Sequence, residues 1–173
     1  MTKLLASVRN LDEARLALAG GADIIDLKEP AQGALGAVRP EIARAVVDFV
    51  NRRVPVSATI GDLPWRAQAL APAVAAMAAT GVDYIKIGLF EPNAATTPRA
   101  LDETAEVRRV LQQAQLRVVA WPAQLIAVLF ADRVPEFGVL AAFADAGFAG
   151  VMLDTADKSR GGLRAHLKPT DLS

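Results

Sequence analysis

The sequence predicts an α/β domain of the TIM-barrel, (β/α)8, type, of which about six βα units are present in this chain. Three observations lead there. Short, continuously apolar runs alternate with helix-like stretches, as in parallel strands covered on both faces. A glycine-led phrase introduces three of those runs. Charged residues close the runs at several strand ends, where barrel proteins carry their chemistry.

The recurring phrases are Gly21-Ala22-Asp23-Ile24-Ile25-Asp26-Leu27-Lys28, Gly81-Val82-Asp83-Tyr84-Ile85-Lys86-Ile87-Gly88 and Gly147-Phe148-Ala149-Gly150-Val151-Met152-Leu153-Asp154. Lys86 stands at the same offset from Gly81 as Asp26 from Gly21. Asp154 stands at the same offset from Gly147 as Lys28 from Gly21. Strand side chains alternate between faces, so all four charged residues share one parity. In a single parallel sheet they would converge on one surface. Charges are rarely buried unless they pair or take part in chemistry.

Taken in order, residues 3–8 read as a buried strand. Asn10 and Glu13 then form a capping-box-like start for a helix to about Ala19, stopped by Gly20 and Gly21. Residues 23–28 form the second strand, and Glu29-Pro30 opens a loop through Ala37. Pro40 suits a first helical turn, and the spacing of Ile42, Val46, Phe49 and Val50 carries that helix to Asn51. Residues 54–60 form the third strand, with residues 61–64 as its exit loop. An alanine-rich helix over 67–80 ends at Gly81 and precedes a strand over 84–89. Thr97-Pro98 caps a helix to about Gln115. Two runs compete for the fifth strand, 117–120 and 125–131, and the second is favoured, ending at Asp132. A helix over 135–146, a strand over 150–154 and a helix starting at 163–166 complete the pattern.

An open doubly wound sheet and a barrel both fit this alternation. No GxGxxG follows a strand, and polar residues end three different strands, which favours the barrel. A single domain over 1–173 is expected, short of the last two βα units of such a barrel.

Composition narrows the functions. Lys plus Arg and Asp plus Glu both total 19, so no global attraction to nucleic acid or anionic membrane is expected. With no cysteine and one histidine, disulfides, thiolate metal sites and multi-histidine metal sites are not available. The longest apolar run, 118–131, is interrupted by Pro122 and Gln124 and is too broken for a membrane span. The chain runs straight into a strand, so no signal peptide and a cytoplasmic location are expected.

A lysine on an apolar strand loses solvation, which favours the neutral amine, and a neutral amine can attack a carbonyl to form a Schiff base. Asp26 or Asp154 could then move protons, and the remaining lysine could hold a phosphate or an oxyanion. No cofactor and no metal are called for. Structural ion pairs are the competing explanation of such charges. Other features read more plainly: Gly33–Gly36 as a turn, Lys158 as a solvated loop lysine, His166 as a helix-surface residue. Trp65 and Trp121 read as packing between helix and sheet, and the 103–109 run as a solvated helix face.

Four blocks, GGADIIDLKEPAQGALGA, SATIGDLP, GVDYIKIGLF and VMLDTADKSRGGL, together resemble the (5-formylfuran-3-yl)methyl phosphate synthase family of methanofuran biosynthesis. The resemblance implies a TIM-barrel lyase that condenses two molecules of glyceraldehyde 3-phosphate into a furan aldehyde phosphate, with loss of phosphate and water. It implies that Lys28 is the Schiff-base lysine, that Lys86 and Lys158 are further active-site lysines, and that Asp26 and Asp154 are the catalytic carboxylates. It also raises Lys158 above the plain reading of its loop. Two departures stand out: the family continues for about two more βα units, and residues 115–124 are unlike the family, with Trp121-Pro122 as an insertion. The missing units leave room for a homo-oligomer that closes the fold between subunits. An ordinary class I aldolase, or a non-catalytic sugar-phosphate-binding subunit, are the alternative functions.

Overall fold

The computed structural model describes residues 2–90, 123–133 and 140–168. Six strands, β1 (Leu5–Val8), β2 (Ile24–Leu27), β3 (Val56–Thr59), β4 (Tyr84–Leu89), β5 (Gln124–Phe130) and β6 (Gly150–Asp154), form one sheet in the order of the chain. Every neighbouring pair is parallel. A doubly wound sheet reverses its strand order at a switch point. This sheet never does, so the open doubly wound alternative is excluded. Among the described residues the helices between strands are α1 (Leu11–Ala19), α2 (Pro40–Val50), α3 (Ala67–Ala78) and α4 (Leu140–Asp145), and α5 (Leu163–His166) follows β6.

The expected elements recur among the described residues with ends shifted by a residue or two, and the favoured fifth strand is formed. The expected helix over 97–115, the competing strand over 117–120 and Trp121 lie outside the described residues, as does the first part of the 135–146 helix. Asn10 caps α1, its side chain accepting from the Glu13 N–H at 2.9 Å. The Glu13 carboxylate reaches back to the Arg9 N–H at 2.8 Å, one residue earlier than in a standard capping box. Pro40 begins α2, and Asn51 ends it in the left-handed region at φ 46°.

The glycine of the recurring phrase has a structural cause. Gly21, Gly81 and Gly147 all turn the chain from helix to strand at positive φ, 84°, 89° and 82°. In two of the phrases the following Asp then ties the sheet together: Asp23 accepts from the Leu4 N–H at 2.8 Å and Asp83 from the Val56 N–H at 2.7 Å.

The two faces of the sheet differ sharply. Ile25, Leu27, Val56, Ala58, Ile85 and Ile87 point to the helices and pack there with Val46, Val50, Leu70, Val74 and Phe143. Each such buried Val, Ile, Leu or Phe side chain contributes about 1.5–3 kcal/mol. Trp65 belongs to this layer as expected, its ring 5.7 Å from that of Phe143. The opposite face carries the polar residues and a smaller apolar plug of Leu35, Val128 and Phe130.

Gly88 lies under that plug. A Cβ there would come within 2.5 Å of Phe90 Cε2 and 2.6 Å of Leu35 Cδ1. Leu35 is delivered by the loop over residues 29–36, which closes on itself through the Glu29 N–H to the Gly36 carbonyl at 2.8 Å. The Thr59 hydroxyl donates to that same carbonyl at 2.8 Å. Gly33–Gly36 is thus a packed turn, as the plainer reading had it. Among the described residues no helix is long and apolar enough to cross a membrane.

Candidate active site

Asp26, Lys86 and Asp154 all stand on the face opposite the helices, as their shared parity requires. The register gives Asp26 two serine neighbours, Ser7 on β1 and Ser57 on β3. Both hydroxyls donate to its carboxylate, Ser57 to Oδ1 at 2.5 Å and Ser7 to Oδ2 at 2.9 Å. Lys86 is paired in register with Thr59, two residues beyond the level of Asp26. Its long side chain crosses β3 and places Nζ 2.6 Å from Asp26 Oδ1. Both side chains are almost fully buried, at 3% and 1% exposure. Desolvating two charges is costly, and this pair offsets the cost with short contacts on both carboxylate oxygens.

Lys28 takes a different partner. Its Nζ lies 3.5 Å from Asp154 Oδ2, with both side chains partly open at the sheet's mouth. In a flat sheet, strands four places apart would be about 19 Å from each other. A lysine cannot span that, so the Lys28–Asp154 contact requires the sheet to curl strongly, as a barrel wall does. Lys158 joins from the loop after β6, its Nζ meeting Asp154 Oδ1 and donating to the Thr155 hydroxyl at 3.0 Å. Its side chain is 60% exposed while its ammonium is engaged.

Burial by itself would raise the pKa of Asp154. The hydrogen bonds from Lys158 and the Thr155 N–H, with the charges of Lys28 and Lys158, outweigh burial and hold the carboxyl below its ordinary 3.8. Asp154 is therefore an anion between two ammonium groups, open enough to meet a small molecule. Asp26 is the contrary case, an acid whose two oxygens are already occupied inside the sheet.

Two acids with structural work were not singled out by sequence reasoning. Asp132, just past β5, accepts from the Ala156 N–H at 2.8 Å and the Asp157 N–H at 2.9 Å. Burial alone would raise its pKa, but these amides, its own amide and the nearby His166 charge hold it below 3.8. Asp62, past β3, accepts from the Ala34 N–H at 2.9 Å and the Leu35 N–H at 2.7 Å. The available signal was an acid within three residues of an apolar strand's end. His166 departs from the surface reading: it is only half-buried, but its Nε2 is enclosed and has no hydrogen-bond partner. Among the described residues no group of three or more His, Asp or Glu side chains is placed to hold a metal ion.

Sequentially wound parallel strands with paired acids and amines on the concave side define an α/β protein of the barrel-like kind. Solved structures agree on the fold. A 2,3-dimethylmalate lyase of the PEP mutase/isocitrate lyase superfamily aligns with a TM-score of 0.59 and 16% identity, over 91% of this chain and 60% of that one. An oxaloacetate acetylhydrolase in complex with oxalate aligns with a TM-score of 0.63 and 17% identity, over 91% of this chain and 61% of that one.

The chain belongs to the 4-HFC-P synthase family, whose model matches residues 4–173. The (5-formylfuran-3-yl)methyl phosphate synthase of Methanopyrus kandleri is 38% identical over 166 residues, 90% of this chain and 65% of its own length. That of Methanosarcina mazei is 37% identical over 161 residues, 90% of this chain and 66% of its own. A relative from Methylorubrum extorquens is 47% identical over 158 residues, 91% of this chain and 58% of its own. The chain thus spans about three fifths to two thirds of the length of these relatives.

Proposed function

We propose that this chain carries the active site of a lyase that joins two molecules of glyceraldehyde 3-phosphate into (5-formylfuran-3-yl)methyl phosphate, releasing one phosphate and two waters, for a methanofuran-type cofactor. The observation that carries the proposal is Lys28 facing Asp154 at 3.5 Å at the partly open mouth of the sheet. Membership of a family named for a furan phosphate product supports this reading. The same reading makes residues 1–173 one domain whose curled sheet forms six strands of an eight-stranded barrel. Phosphorylated trioses do not cross membranes unaided, so we place the reaction in the cytoplasm.

Lys28 attacks the aldehyde of the first triose phosphate, and loss of water gives an imine. Asp154, beside that nitrogen, takes the proton from the adjoining carbon, and the electron pair moves into the enamine. The enamine expels the C3 phosphate, and the terminal carbon of the enol left behind attacks the C2 carbonyl of the second triose phosphate, isomerised to its ketose form. The free hydroxymethyl oxygen of that second unit closes the ring onto C2 of the first, two waters leave to complete the furan, and hydrolysis of the imine frees Lys28 and the aldehyde. Lys158 neutralises Asp154 and offers an ammonium to a phosphate. Lys86 and Asp26 sit deeper, as a fixed dipole beneath the reacting atoms.

Borohydride added with glyceraldehyde 3-phosphate should fix a reduced adduct on the Lys28 peptide, read by mass spectrometry. An unmodified Lys28 alongside continuing phosphate release would remove the imine step. Carbon–carbon bond formation without inorganic phosphate would instead indicate an ordinary class I aldolase.

A further inference from the structure

Asp132 is buried at 8% exposure. It binds no group of the reacting cluster. Its two carboxylate oxygens are shared between consecutive amides, Ala156 on Oδ1 and Asp157 on Oδ2. Two bonds to neighbouring peptide units fix both the position and the rotation of that piece of loop. The Arg160 guanidinium adds a third tie, donating to the Asp132 carbonyl at 3.2 Å. Lys158 directly follows Asp157. Asp157, held by Asp132, in turn caps the short turn Lys158–Arg160 by accepting from the Ser159 N–H at 2.9 Å and its hydroxyl at 2.6 Å. Hydrogen bonds from just past β5 thus hold the residues on both sides of Lys158, and the backbone passes that hold to the ammonium on Asp154.

We propose that Asp132 is a positioning residue: it anchors the loop after β6 so that Lys158 meets Asp154 at the mouth of the sheet. The inference rests on the reading of Lys28, Asp154 and Lys158 as the reacting cluster. A carboxylate suits the task because it presents two acceptors in one plane, matching two successive amides. An amide side chain offers one acceptor and would turn N–H toward N–H at the other position. The charged groups facing Asp132 are His166, Arg160 and Asp157, and those facing Asp154 are Lys28 and Lys158.

The test uses D132N, K158M and D132N/K158M in the full chain. The titration of the Asp154 carboxyl is followed by carbon NMR, which needs no turnover. With Asp132 acting through Lys158, D132N moves the Asp154 titration to higher pH, and the double variant moves no farther than K158M alone. In phosphate release, D132N lowers kcat by about tenfold or more, D132E restores part of it, and D132N adds nothing on top of K158M. An Asp154 titration that K158M shifts and D132N leaves in place overturns the proposal. So do kinetic losses from D132N and K158M that multiply. If D132N does not fold, D132E, which keeps both acceptors but displaces them by one methylene, is judged by the same titration. A parent chain without phosphate release would refute the proposed reaction, and the NMR arm would still decide the role of Asp132.

Discussion

Lys86 and Asp26 pair across an intervening strand, 2.6 Å apart and almost wholly out of water, while the amine nearest to Asp26 on its own strand, Lys28, turns to Asp154 instead. Acids and amines are thus exchanged between strands, giving one closed pair inside the sheet and one open cluster at its mouth. The closed pair is shut away from solvent, and the open cluster is partly exposed.

Removing one member of the closed pair should be severe. D26N leaves an ammonium buried without its counter-charge, at a cost of about 3–5 kcal/mol in urea unfolding. D26L/K86M should recover most of that loss. A D26N chain as stable as the parent would mean that water reaches Lys86.

Acid should separate the roles of the anchoring carboxylates. Asp132 is held below 3.8 when folded. A carboxyl of this kind contributes stability above its unfolded pKa and loses it as the pH falls through the folded one. The urea midpoint of D132N should therefore lie below that of the parent at neutral pH. The gap should narrow once the pH drops beneath 3.8. A gap that stays constant to the lowest pH would contradict an ionised Asp132.

Gly88 is expected to resist any side chain. G88A would force Phe90 and Leu35 from their places, an overpacking cost of about 1–3 kcal/mol. Because Leu35 belongs to the loop over residues 29–36, amide exchange there should quicken together with the loss of stability. Unchanged exchange with a normal melting point would show that the plug can repack.

Asp62 makes a parallel prediction for the other loop. D62N should cost about 1 kcal/mol and speed hydrogen exchange at the Ala34 and Leu35 amides. Exchange at Ala156 and Asp157 should hold steady, since those amides are held by Asp132. Acceleration at both pairs would mean that the two loops open together.

Much of this was already written along the chain. Glycine positions marked three of the helix-to-strand turns, at Gly21, Gly81 and Gly147, because positive φ is a local demand that few other residues meet. Alternation placed Asp26, Lys28, Lys86 and Asp154 on one side of the sheet, because a strand's period of two is also local. The resemblance of four motif blocks added Lys158, which parity could not reach. Partner choice followed different rules. Whether Asp26 meets Lys28 or Lys86 depends on strand register and on how tightly the sheet curls, and both are set by packing among distant residues. The same holds for Asp132 and Asp62, whose partners are backbone amides and leave no trace in side-chain identity. Local backbone geometry thus declared which residues would share a surface, and long-range packing alone determined which of them would touch.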